Sequence, residues 1–462
     1  MRKILLGTTA VVGAALLTPA VASAQEAPTV RLGGYFQAYY GNTQQTGMSA
    51  TNVSMNNIGT DANSAAGNTQ QSVRLGKNDF SSDAEVHVFI NGKAANGLSY
   101  GAVIEMAFNQ QEGTDRPGGR RTANDKTTGF IDEFYAFISS PTLGQIRFGD
   151  EDGPMGGLMN AGYVTNFGSG GVYGYWENFT VRPNRTTTSP GALGDNTKII
   201  YLSPQVFGFD LGVSYAPNEG SGEDTGCINS FASVMCDRAY ALTNNTGSYA
   251  FREGAARGRL NELQAMLRWR GNIAGVGIAA SIGTLQSGVT RNIDLAGNIQ
   301  KNLRSPQIYQ AGLQATYLGF TLGVNYTRAN TTLFYIPTPR GGKDMEQWFV
   351  GGSYTMGPIT IGSNAFWGSY GQLAGTPVTN AAGQLIGPDP TGQRSNRRWG
   401  VSVGANYRLA PGMDILAEWT HHETKTPGSS QQGLGACGPT QVNNCADRAR
   451  ASIFLTGVRL AF

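Results

Sequence analysis

Three stretches of this chain repeat with a period of two. "FGFDLGVSYAP" sets Phe207, Phe209, Leu211, Val213 and Tyr215 on one face, with Gly208, Asp210, Gly212 and Ser214 on the other. "GFTLGVNYT" sets Phe320, Leu322, Val324 and Tyr326 against Thr321, Gly323, Asn325 and Thr327. "WGVSVGANYRL" sets Trp399, Val401, Val403, Ala405, Tyr407 and Leu409 against Gly400, Ser402, Gly404, Asn406 and Arg408. A strand projects successive side chains to opposite faces, so each stretch is a strand with one apolar and one polar side. A soluble sandwich alternates too, but three features favour a membrane barrel. The segments run to about ten residues, the length of a tilted spanning strand. Aromatic residues gather toward the ends of the apolar faces, as in interfacial girdles. Glycine and small polar residues fill the other face, which suits a wet lumen.

Such strands recur near 29–40, 72–90, 98–109, 129–139, 144–150, 197–203, 207–216, 259–270, 273–284, 307–318, 319–328, 345–356, 358–370, 397–409, 412–424 and 449–462. The apolar phase of the second changes around Asn78–Ser81, which predicts a bulge there. An even number of antiparallel strands closes on itself and satisfies edge groups that lipid cannot. Short connections, such as Leu318-Gly319, alternate with long ones near 41–71, 110–128, 151–196, 217–258, 285–306, 329–344, 371–396 and 425–448. The sequence therefore predicts an all-β fold, a transmembrane antiparallel β-barrel of sixteen strands. Its short turns are periplasmic and its long loops extracellular.

The N-terminus supplies the address. Arg2 and Lys3 precede an apolar run broken by Pro19, and Ala22-Ser23-Ala24 fits a cleavage site. Residues 1–24 read as a signal peptide and 25–462 as a single barrel domain in the outer membrane, reached through the periplasm. Without Arg2 and Lys3 the chain carries 32 basic and 31 acidic residues, so no nucleic-acid partner is expected. Glycine is 65 of 462 residues, about twice ordinary usage. Cys227 with Cys236 and Cys437 with Cys445 lie in two of the long loops and are disulfide candidates in an oxidising compartment. Crossed pairing stays open.

The chain resembles the general porins of Gram-negative outer membranes. The carriers are "SVRLG" at 72–76, "GQIRFGDEDGPMGGLM" at 144–159, "YLSPQVFGFDLGVSY" at 201–215 and the terminal aromatic Phe462. The resemblance implies a homotrimer of water-filled channels for passive diffusion of ions and small hydrophilic solutes. It implies that the third long loop, about 151–196, folds into the pore. Acidic groups of that loop would face basic groups on the wall, and the field between them would set ion preference. The acidic candidates are Asp150, Glu151, Asp152 and Glu177. Arg74, in the "RLG" opening, is the leading basic candidate. By parity Arg31, Arg147, Arg268, Arg408 and Arg459 also face inward. "FIDEFYAF", with Asp132 and Glu133, departs from the family's basic residue in the fourth strand and counts against a strongly anion-attracting wall. Phe462 is expected to be part of the signal read by the barrel-assembly machinery.

The same residues admit other readings. Asp150, Glu151 and Asp152 also offer oxygens to a hard cation such as Ca2+; no other cofactor is expected. Tyr35, Tyr39, Tyr135 and Phe366 face inward and would form an aromatic track in a channel selective for sugar, phosphate or dicarboxylate. A structural or adhesive surface barrel is a further alternative. Catalysis has little support. His421 and His422 are adjacent on a strand and point apart. His87 shares its strand with Glu85. No nucleophile elbow, zinc-helix or phosphate-loop spacing appears.

Overall fold

The computed structural model describes residues 26–46, 77–108, 129–180, 196–217, 259–289, 304–331, 338, 340–371, 377–379, 385–388, 395–425 and 448–462. Residues 1–24, Arg74 and its motif, and the four cysteines lie outside the described residues. The strands are β1 Glu26–Thr46, β2 Asn78–Lys93, β3 Ser99–Ala107, β4 Phe130–Ser140, β5 Gly144–Asp150, β6 Thr197–Leu202, β7 Phe209–Ala216, β8 Arg259–Ile273 and β9 Val276–Val289. They continue with β10 Gln307–Tyr317, β11 Phe320–Ala329, β12 Met345–Met356, β13 Ile359–Gly371, β14 Pro377–Thr379, β15 Leu385–Pro388, β16 Ser395–Ala410, β17 Met413–Lys425 and β18 Arg448–Ala461. Sixteen of them form one closed antiparallel barrel in sequence order. The remaining two, β14 and β15, pair with each other in the connection between β13 and β16.

Closure comes from β1 against β18, in register from Tyr35 with Ala461 to Thr46 with Arg450. The last residue takes part. Gly34 N donates to the Phe462 carbonyl at 3.0 Å, and Phe462 N donates to the Gly34 carbonyl at 3.1 Å. The Phe462 ring itself is exposed.

The predicted bulge at 78–81 is absent. Asn78 to Ser81 pair in unbroken register with Asn42 to Tyr39, and the irregularity of this pair lies between Glu26 and Thr29. Residues 72–76 of the predicted strand lie outside the described residues. Within β2 the apolar set Phe80, Ala84, Val86, Val88 and Ile90 keeps one parity, so no extra residue is needed. The β8–β9 turn also lies later than the predicted Gly271–Asn272 junction, at Ala274-Gly275. Both of its central residues have positive φ, and Asn272 Oδ1 accepts Gly275 N at 2.9 Å. Leu318-Gly319 repeats this geometry, with φ 47° and 85°. Positive φ at both central residues matches the strand twist of a two-residue hairpin.

Outward positions are the apolar ones. Tyr326, Trp348, Trp367 and Trp399 stand opposite one another across β11, β12, β13 and β16. Tyr317, Phe320 and Tyr354 form a second row near the short turns. The six residue steps from Trp348 to Tyr354 span roughly 20 Å along the strand, which suits a tilted crossing of the hydrocarbon layer between two aromatic girdles. The inward face is less uniformly wet than its composition suggests. Met266, Leu285, Ile308, Phe349, Phe366, Leu416, Ile453 and Leu455 point inward and are buried. They form three apolar patches, and the β5–β6 loop covers them.

Candidate functional site in the barrel lumen

The loop that follows β5 is described over 151–180 and lies inside the barrel. It contains one π-helical turn at Pro154–Leu158 and two 3₁₀ turns at Gly171–Tyr173 and Tyr175–Phe179. It meets the wall strand after strand. Gln264 Oε1 on β8 accepts Met155 N, and Ser281 Oγ on β9 accepts Ala161 N. Gln310 on β10 donates to the Tyr163 hydroxyl, and Asn325 on β11 donates to the Ala161 carbonyl. Gln347 on β12 donates to the Tyr173 hydroxyl. Asn364 on β13 donates to the Val164 carbonyl and accepts Val172 N. Tyr175 finally reaches Ser81 on β2 at 3.0 Å. The loop thus follows the inner wall around the barrel and exchanges backbone hydrogen bonds with inward side chains as it goes.

Two features make this close path possible. Gly162 has φ +92°, and a Cβ there would lie 2.0 Å from the Val324 carbonyl oxygen. Facing it, a Cβ on Gly312 of β10 would lie 2.0 Å from the Ala161 carbonyl oxygen. Backbone therefore meets backbone where no side chain fits. The second feature is a fixed set of anchors. Glu418 of β17 accepts Ser169 N at 2.8 Å, Gly171 N at 2.9 Å, the Ser169 hydroxyl at 3.1 Å and the Thr420 hydroxyl at 3.1 Å. Charge-assisted bonds from two consecutive turns hold that segment firmly. Trp176, fully buried, packs on His422 at 5.1 Å between ring centroids and donates its indole N–H to the Val172 carbonyl.

The acidic candidates separate. Asp150 ends β5 opposite Phe134 and Thr197, in outward parity, and accepts the Thr197 hydroxyl. Glu151 accepts Arg147 Nη1 at 2.7 Å, and its carbonyl accepts Lys198 Nζ. Asp152 is buried beside it, and Glu177 is half-buried in the second 3₁₀ turn. Among the basic candidates Arg147 lies over the Tyr135 ring at 4.9 Å. Arg268 clasps Asp210 with two bonds and donates a third to the Leu158 carbonyl, so it anchors the loop. Arg459 and Arg408 both face Asp414, at 3.0 and 3.4 Å. Arg31 lies over Phe89 at 5.0 Å. Among the described candidates, the structure brings together the loop acid Glu151 and the wall base Arg147.

Three roles escaped the sequence. Glu418 and Lys198 hold the loop from strands that alternate like any other. Glu105 of β3 sits opposite His87 of β2, a neighbour that spacing along the chain does not reveal. The inward tyrosines do not make a continuous track. Tyr39 and Phe366 are under the loop, at 2% and 1% exposure, while Tyr35 bonds Asp83 and Glu85.

A family model of Gram-negative porins matches residues 7–427. The chain belongs to the Gram-negative porins. It is an outer-membrane channel for passive diffusion. Among solved structures this porin is similar to the anion-selective porin from Comamonas acidovorans, with 12% identity, a TM-score of 0.50, and 94% of this chain and 100% of that chain covered. In vitro folded OmpT of Vibrio cholerae, in its trimer form, is 13% identical over 95% of this chain and 100% of that one, with a TM-score of 0.49. A variant of the Rh. blastica porin is 12% identical over 94% and 100%, with a TM-score of 0.45. Identities this low speak for the fold alone. Among curated protein sequences none matches this chain.

Proposed function

We propose that this porin passes ions and small hydrophilic solutes through the space between the inner loop and the β2–β5 wall, without chemistry and as a homotrimer. The observation that carries the reading is the loop's path. Residues 153–180 are fastened from β8 round to β2, so they narrow the lumen without projecting from it. Glu85, His87, Glu105 and Arg147 on β2, β3 and β5 keep side-chain exposures of 13, 21, 16 and 18%. Among the described residues they are charged groups of this arc that a solute would pass. Arg147 and Glu151 form the charge pair at this point and contribute a local transverse field. Carboxylates outnumber cationic groups on the strip, which favours cations over anions.

Single-channel recording in planar bilayers tests the reading. Expected are stable open channels in units of three, with permeation of neutral sugars falling smoothly as their size grows. A correctly folded barrel that never conducts would overturn it. Saturable block by one sugar, phosphate or dicarboxylate would move the assignment to a substrate-selective channel.

A further inference from the structure

On the open strip of wall, Glu85, His87 and Glu105 place one ligand atom each within 4.8 Å of one another. Their placement follows from the sheet. His87 and Glu105 are direct cross-strand partners, and Glu85 lies two residues along β2 on the same face. His87 Nε2 is 3.0 Å from Glu85 Oε2 and 3.7 Å from Glu105 Oε2. An ion with bonds of about 2.1 Å to nitrogen and oxygen sets adjacent ligand atoms about 3.0 to 3.4 Å apart. The observed spacings bracket that range, so small side-chain adjustments suffice.

We propose that these three residues bind a divalent transition-metal ion of the zinc class in the lumen. Ionised carboxylates only accept hydrogen bonds, so the imidazole nitrogen that faces them carries the hydrogen when no ion is bound. On binding, Nε2 gives its lone pair to the ion and the ring hydrogen resides on Nδ1, so a neutral imidazole releases no proton and an imidazolium releases one to lumen water. Imidazole nitrogen selects this class over Mg2+ and Ca2+, which prefer all-oxygen shells. The neighbours support the same chemistry. The Tyr35 hydroxyl donates to Glu85 Oε1 at 2.8 Å, which fixes that carboxylate with Oε2 toward His87. The Asp83 carboxylate accepts Tyr35 and Gln37 beside it. Glu133 of β4 stands directly opposite Glu105, and like charges in that relation favour a cation beside them. Gly33 of β1 stands opposite His87 and brings no side chain of its own to the imidazole. The nearby Arg147 is engaged by Glu151.

Metal binding itself does not depend on conduction, but its consequence does. If the channel reading holds, an ion held at this strip enters the path of permeating solutes and is a reversible blocker. Isothermal titration of the metal-stripped, detergent-solubilised trimer with ZnCl2 is the test. The wild type is expected to bind one equivalent per chain that His87→Ala loses, with affinity at least tenfold weaker in Glu105→Gln and no competition from Mg2+. Wild type and His87→Ala titrating alike, or a wild type that takes up no zinc saturably, would overturn the site. Anomalous diffraction at the zinc edge on wild-type crystals settles it without a variant: a peak among the three residues supports it, and a peak elsewhere or none rejects it. Channels that conduct yet ignore zinc count against the site alone. Silent channels that still bind zinc count against the conduction reading alone.

Discussion

The wall beneath the loop and the wall beside it come from one sheet, yet their inward chemistry differs. Under the loop, β9 to β13 present Ser281, Gln310, Asn325, Gln347 and Asn364 between Leu285, Ile308, Phe349 and Phe366. These side chains are neutral donors and acceptors that match a backbone, set among apolar groups that match Val172 and the loop methionines. Beside the loop, β2 to β5 present Glu85, His87, Glu105 and Arg147, each partly exposed, with Asp83 and Glu133 buried next to them. A charge is costly under a close-packed segment unless it is fully bonded, as Glu418 is, and is cheap where water reaches it. The contrast teaches that the two arcs of the lumen wall differ in polarity because they do different work. One arc holds a loop, and the other meets the solute.

Substitutions should separate the two arcs. The largest effect is expected from Trp176→Ala, which removes a fully buried indole between loop and wall. It should weaken loop anchorage by about 3–5 kcal/mol and raise single-channel conductance and current noise while the barrel's far-UV circular dichroism stays unchanged. Glu418→Gln comes next. Its amide oxygen keeps Ser169 N and Gly171 N while its NH2 turns to the Ser169 and Thr420 hydroxyls, so only the charge assistance is lost, at a cost of about 1 kcal/mol, and it should give a smaller rise in conductance. Arg147→Gln, on the open arc, should leave loop noise unchanged and shift the reversal potential in a salt gradient by about a twofold change in permeability ratio toward cations. Smallest is Trp348→Ala on the lipid face. Loss of its ring contacts with Tyr326 and Trp367 should cost about 1 kcal/mol and leave conductance untouched. If Trp176→Ala and Trp348→Ala changed the current equally, the division between arcs would fail.

Much of the barrel was legible because a strand writes its facing into every second residue. Phe320, Leu322, Asn325 and Thr327 take the sides that their alternation predicts. Phase was also where the reading slipped. Within β2 the apolar set keeps one parity from Phe80 to Ile90, and its pairing with β1 runs through 78–81 without a bulge. The site was harder to read because its members meet across strands. Glu105 reaches His87 through register, and Glu418 meets Ser169 across 249 residues of chain. Parity gives a side, but not the height at which Arg408 sits near a turn while Arg147 meets Glu151. The glycine-rich run at 162–174 packs close to the wall, and Gly162 against Val324 is the physical reason.

The most direct test places single cysteines on the inward face and follows the current when a charged thiol reagent is added to open channels. The account predicts a stepwise change in current for His87→Cys and Glu105→Cys, above the response of the parent chain. It predicts none for Asn325→Cys and Ser402→Cys, whose side chains lie under the loop or between strands at 2% and 0% exposure. Equal responses at both pairs would contradict it, because the loop would then not divide the wall.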